Sequence, residues 1–145
     1  MRGASIVAGA VAMLALGGCN TLPVYHAPAG AKTVPVNIAT RGAKSVCIGY
    51  LRYALEPDAN GNVYLVAGDR VTLRSSYSWA DGNMNWSCHP ATSFVPDADR
   101  AYTMVFEVEP ENHSCTFRVY RQTTANRIGL DFESSTRPPQ ASCGP

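Results

Sequence analysis

The chain has 145 residues, enough for one domain with a sizeable core and not for two of ordinary size. Charged residues make up 16% of it, below the roughly 25% of a typical soluble domain. Its 12 basic and 11 acidic residues nearly cancel, and without Arg2 they balance; with no basic stripe between aromatics, this argues against nucleic acid as a partner.

The first element is a leader. Arg2 supplies a positive start, and residues 6–16, IVAGAVAMLAL, form an apolar run. A membrane-spanning helix needs about 20 apolar residues, and this run is shorter. Pro23 follows closely and no stop-transfer pattern appears, so residues 1–18 are expected to be a cleaved signal peptide. The run ends in Leu16-Gly17-Gly18-Cys19. That stretch resembles the lipobox of bacterial lipoprotein signal peptides, with Leu16 at the apolar position and two small residues before the cysteine. The resemblance implies a diacylglyceryl group on the Cys19 sulfur, cleavage before Cys19, and a membrane partner reached through the lipid. Each buried methylene contributes about 0.8 kcal/mol, so two or three chains would make release very slow. By the same resemblance, Asn20 is not the aspartate that retains such proteins at the inner membrane, and the periplasmic face of the outer membrane is expected.

Residues 19–33 are expected to be the lipidated cysteine and a flexible tether, and 34–145 the folded domain. The tether holds two prolines and a glycine and no clear period. Extended at ~3.1 Å per residue, it would span on the order of 40 Å. His26 within it is expected to be solvated.

From there the apolar period becomes two, the period of a strand with one buried face. Val34, Val36 and Ile38 alternate first. The run 45–55, SVCIGYLRYAL, is apolar on both faces and reads as central. NVYLVA follows the turn signal EPDANG. In RVTLRSSYSW, Val71, Leu73, Tyr77 and Trp79 share one face, and Arg70, Thr72, Arg74, Ser76 and Ser78 share a wet one. MNWSC follows ADGN. In AYTMVFEVE, Tyr102, Met104, Phe106 and Val108 face inward. CTFRVYR and RIGLDF close the series. About seven or eight antiparallel strands in one β-sandwich are expected, with a small closed barrel as the alternative.

Five cysteines leave one over in an exported chain, and a lipidated Cys19 accounts for it. The other four allow three pairings. Cys88–Cys115 would link neighbouring segments, and Cys47–Cys143 would fasten the proline-rich tail to an early strand. A zinc site from Cys88, His89, His113 and Cys115 is the competing reading, but its spacing is not that of a finger or ribbon. No metal and no cofactor is expected.

No nucleophile elbow or zinc-protease motif occurs. Asp97 and Asp99 read as a polar turn. Glu107, Glu109 and Glu111 read as the wet face of a strand. Tyr77 and Trp79 read as core. Trp86 is the candidate for binding a sugar ring or a partner protein. NWS at 85–87 and NHS at 112–114 match a glycosylation sequon that a bacterial lipoprotein would not normally use. The stretch 93–121 resembles small Gram-negative envelope lipoproteins in Phe94, Pro96, Tyr102 and Cys115. Those proteins carry no assigned activity, so the resemblance implies architecture alone. The function expected is a non-enzymatic structural or binding accessory of the envelope. The alternative is an inhibitor, or a module binding a glycan or protein at a periplasmic enzyme.

Overall fold

The computed structural model describes residues 22–141, and ten strands lie among them. They are β1 (Thr33–Asn37), β2 (Ala43–Ile48), β3 (Leu51–Ala54), β4 (Asn62–Val66), β5 (Val71–Asp81), β6 (Met84–Cys88), β7 (Ala91–Phe94), β8 (Tyr102–Glu109), β9 (Ser114–Gln122) and β10 (Leu130–Phe132). One sheet runs β10-β9-β8-β1-β4. The other runs β3-β2-β5-β6, with β7 also paired to β5. The sheets pack face to face with open edges, so the fold is a β-sandwich and not a closed barrel.

Two features depart from the sequence expectation. The strands are more numerous, because SVCIGYLRYAL folds back on itself at Gly49-Tyr50 and Ala91–Phe94 adds a short strand. One pair, β1 with β8, is parallel. Pro35 is tolerated inside β1 for a specific reason. Lys32 O and the Ile38 N–H both bond residues flanking β4, so even-numbered residues of β1 turn to β4. Pro35 therefore turns to β8, whose pairing begins only at Val36.

The core lies between the sheets. Val34, Val36, Leu65, Met104 and Val119 of one sheet meet Val46, Leu73 and Phe94 of the other, all fully buried. Tyr102 is buried with them. Its ring meets Phe94 edge-on at 5.1 Å, and its hydroxyl accepts a 2.8 Å bond from the Asp97 N–H. Burial raises the Tyr102 pKa, against the lowering effect of that bond.

The face of β5 expected to be wet is not uniformly so. Thr72 and Arg74 are buried along with Val71 and Leu73. The C-terminal segment lies over them as a third layer. Arg137 bridges Ser93 on β7, and the Gln140 N–H bonds Thr72 Oγ1 at 3.2 Å. Ser93 Oγ donates to Pro138 O at 2.9 Å. The buried Glu133 carboxylate starts this strap by accepting the Ser135 N–H at 2.8 Å. Alternation signalled one apolar face correctly. It carried no information about a polar segment arriving from 68 residues downstream, as Gln140 does at Thr72.

The tether expected over 19–33 is also shorter than read. Val24 forms a parallel bridge to Ala54 on the edge of β3, through Ala54 N–H to Pro23 O (2.8 Å) and Tyr25 N–H to Ala54 O (2.9 Å). Tyr25 packs edge-on against Tyr53 at 5.9 Å. An open sheet edge offers unpaired backbone groups, and this short proline-containing segment satisfies some of them.

Candidate functional site

The two ends of the sandwich differ in kind. At the first end lie the Gly49-Tyr50 turn, the start of β5 and the start of β1, since β2 is antiparallel to β5 and Ile48 pairs with Leu51. The tip of the β5–β6 hairpin lies at the other end. β5 has eleven residues, and at about 3.3 Å per residue its ends stand ~30 Å apart.

The second half of β5 and β6 form an arm at this far end. Gly82 starts its two-residue turn at φ 59°, a left-handed value that glycine adopts without strain. Tyr77 and Trp79 stay on the inner side of β5, as alternation requires, but they are only half-buried. Tyr77 leans on Phe106 of β8, and Trp79 on Tyr77. Tyr77 lies 6.2 Å from Trp79, stacked, and 6.2 Å from Phe106, edge-on. Trp79 pairs across the hairpin with Trp86. The Trp86 ring stacks on His113 at 3.7 Å and 18°. His113 holds a left-handed backbone at φ 49° at the end of the short 3₁₀ turn Pro110–Asn112, which presents its ring to Trp86.

A covalent brace joins the same two hairpins. Cys88 on β6 is disulfide-bonded to Cys115 on β9, Cα to Cα 6.4 Å, as the sequence led us to expect. For a separation of 27 residues, loop entropy gives about 3–4 kcal/mol. The bond uses both sulfurs of the zinc alternative. Its histidines go elsewhere, His113 to Trp86 and His89 Nδ1 to Ser76 Oγ at 2.9 Å. Cys47 is disulfide-bonded too. Its expected partner Cys143, like the lipidation candidate Cys19, lies outside the described residues. Among the described residues, Gln140 bonds Thr72, and Thr72 pairs with Cys47 across β5 and β2.

The arrangement leaves Trp86 with one ring face against His113. The outer side of the arm, with Ser78, Ala80, Asn85 and Ser87, borders a shallow cleft of about 360 Å³. Met84 is exposed at the tip. The carboxylates nearby serve local hydrogen bonds. Glu109 accepts from Asn112 Nδ2 at 3.1 Å and Glu107 from Thr116 Oγ1 at 3.4 Å, while Glu111 is exposed in the 3₁₀ turn. Among the described residues no three His, Cys, Asp or Glu side chains converge to hold a metal. Asp97 and Asp99 form a turn, with Arg100 4.0 Å from Asp97 and Lys32 3.3 Å from Asp99.

At the first end, a cleft of about 270 Å³ opens between the docked N-terminal segment and both sheets, walled by Tyr25, Ile48, Tyr53, Val66 and Val71. Burial raises the Tyr25 pKa, against the influence of the Val66 backbone. His26 on its rim is exposed. Below the cleft the turn carries two large apolar side chains into solvent, Tyr50 and Leu51. Sequence reasoning missed that pair. The signal was available in Gly49, a residue that adopts the positive φ (61° here) of a tight two-residue hairpin without strain and so marks a turn inside the apolar run.

No family model, no curated protein and no solved structure matches the chain.

Proposed function

We propose that the mature protein is lipid-anchored in the bacterial envelope through Cys19, at the periplasmic face of the outer membrane. There its sandwich acts without catalysis as a structural or binding accessory. The observation that carries this reading is the run from Arg2 through an eleven-residue apolar segment to Leu16-Gly17-Gly18-Cys19. The fold is compatible with it. A disulfide such as Cys88–Cys115 persists in an oxidising compartment, and the periplasm is one.

Growth with labelled fatty acid tests it directly. The native protein should take up label, and Cys19→Ser should not. Intact-mass analysis should place the mature amino terminus at residue 19 with added acyl mass. A terminus elsewhere, without that mass, would overturn the proposal.

The second reading is a module that binds a glycan or a periplasmic enzyme. The far arm favours it, because edge strand β6 and the exposed Met84 and Asn85 project away from the core. Capture from solubilised envelopes separates the two. Binding of purified glycan with no captured protein would favour the module.

A further inference from the structure

We infer that the end of the sandwich bearing Tyr50, Leu51 and Ile128 rests in the interface of a lipid bilayer, so that the protein stands on the membrane in a fixed orientation. The inference builds on the proposed lipidation of Cys19 and adds a second, protein-borne contact.

Three observations converge. Tyr50 is 86% exposed and Leu51 62%, side by side at the tip of the β2–β3 hairpin. Exposed single apolar residues are ordinary, but an aromatic and a leucine at one protruding turn are not required by anything in the fold. Tyrosine, with an apolar ring and a polar tip, favours the headgroup level of a bilayer.

The second observation is direction. The N-terminal segment runs parallel to β3, with Val24 level with Ala54. Leu22 shares a groove with Arg52, the neighbour of Leu51. Traced backward, the described chain therefore heads toward the Tyr50 turn. Cys19 is three chain steps before Leu22, a reach of at most about 11 Å. Acyl chains on Cys19 would enter the membrane close to this tip and far from the aromatic arm.

The third observation is a second apolar residue at the same end. β8 runs parallel to β1 with Tyr102 beside Val36, so the chain before β8 and after β9 points toward the end where β1 starts, and Lys32 there reaches Asp99 at 3.3 Å. The loop between β9 and β10 leaves from there and carries Ile128, 84% exposed, beside the exposed Arg127. Tyr50 and Leu51 hang from the edge of one sheet and Ile128 from the other. Together with the acylated Cys19, these two contacts make the three points that a resting plane needs, where one contact would act as a pivot. An arginine next to an inserted apolar residue suits phosphate headgroups.

The test uses the full acylated protein in vesicles of phosphatidylethanolamine and phosphatidylglycerol, with and without bromine on the acyl chains. Tyr50→Trp and, separately, Ile128→Trp place an indole at each contact. Native Trp79 and Trp86 stand on the far arm and serve as the reference. The difference spectrum of each variant against the native protein should fall roughly twofold in vesicles brominated near the headgroup end of the acyl chains, as expected for a ring seated at the boundary of headgroups and acyl chains. Native emission should not change. Co-flotation with the vesicles together with unquenched difference spectra would overturn the resting plane and leave the anchor standing. Failure of the native protein to co-float would overturn the anchor and this inference with it. Unquenched but blue-shifted emission that grows with protein concentration would show a second copy covering the tip, and would also overturn it.

Discussion

The two halves of β5 belong to one strand and carry one alternating pattern, yet they live in different surroundings. From Val71 to Ser75 every residue is buried, with the sandwich core on one side and the C-terminal strap on the other. From Ser76 to Asp81 none is fully buried, and the strand becomes an arm. The first half is held by volume: Leu73 and Phe94 fill the interior. The second is held by a few specific contacts, namely Tyr77 on Phe106, Trp86 on His113 and the Cys88–Cys115 bond. Packing stabilises the first half through many small contributions. The arm depends on pairwise braces that can be removed one at a time.

The largest effect should come from the packed half. Phe94→Ala leaves a cavity beside Tyr102 and should cost about 3–5 kcal/mol in urea unfolding. Equal loss from an exposed residue such as Met84→Ala would break the distinction. Next comes the brace. The double change Cys88→Ser with Cys115→Ser should cost about 3 kcal/mol. Hydrogen exchange should accelerate in 77–88 and stay slow in 71–75. Uniform acceleration would show that the arm and the core unfold together.

The strap gives a smaller effect. Thr72→Val removes the acceptor of the Gln140 N–H and should cost about 1 kcal/mol. Digestion without reduction should release the Cys47 peptide joined to that of Cys143. Free Cys143 in the folded protein would detach the strap from the reasoning above.

The smallest effect is outside both halves. Asp58, in the loop before β4, accepts the Asn62 and Asn60 N–H groups, which hold its pKa below the usual 3.8. A carboxylate with a depressed folded pKa adds stability above its unfolded value and loses it as pH falls through the folded one. Chemical-shift titration should therefore place Asp58 below 3.8 in the native protein, and Asp58→Asn should flatten stability against pH only in that acid range. Core and arm should be unaffected.

Much of the architecture was legible before any coordinate. Val34-Val36, Val71-Leu73 and Tyr102-Met104-Phe106 each announced an inward face. ADGN marked the arm's turn, and Cys88–Cys115 was one of the pairings that the four cysteines allowed, chosen because it joins neighbouring strand-like runs. Gly49-Tyr50 was passed over because both its flanks are apolar, which hides a hairpin inside a single run. The docked Pro23-Tyr25 segment reads as tether in the sequence because three residues beside an edge strand leave no periodic trace. The far arm was singled out through Trp86, but not the His113 stack, which needs a left-handed residue brought in from 27 positions away.

By itself, then, the sequence determined where apolar side chains had to hide, since a period of two admits only one strand geometry. It determined the all-β class for the same reason, while the choice of an open sandwich over a closed barrel lay in the tertiary structure. Tertiary structure alone decided which polar backbone would cover the second face of β5, which edge the N-terminal segment would close, and which end would carry exposed Tyr50. Those outcomes depend on hydrogen-bonding groups that every residue possesses, so no local pattern marks the segments that meet.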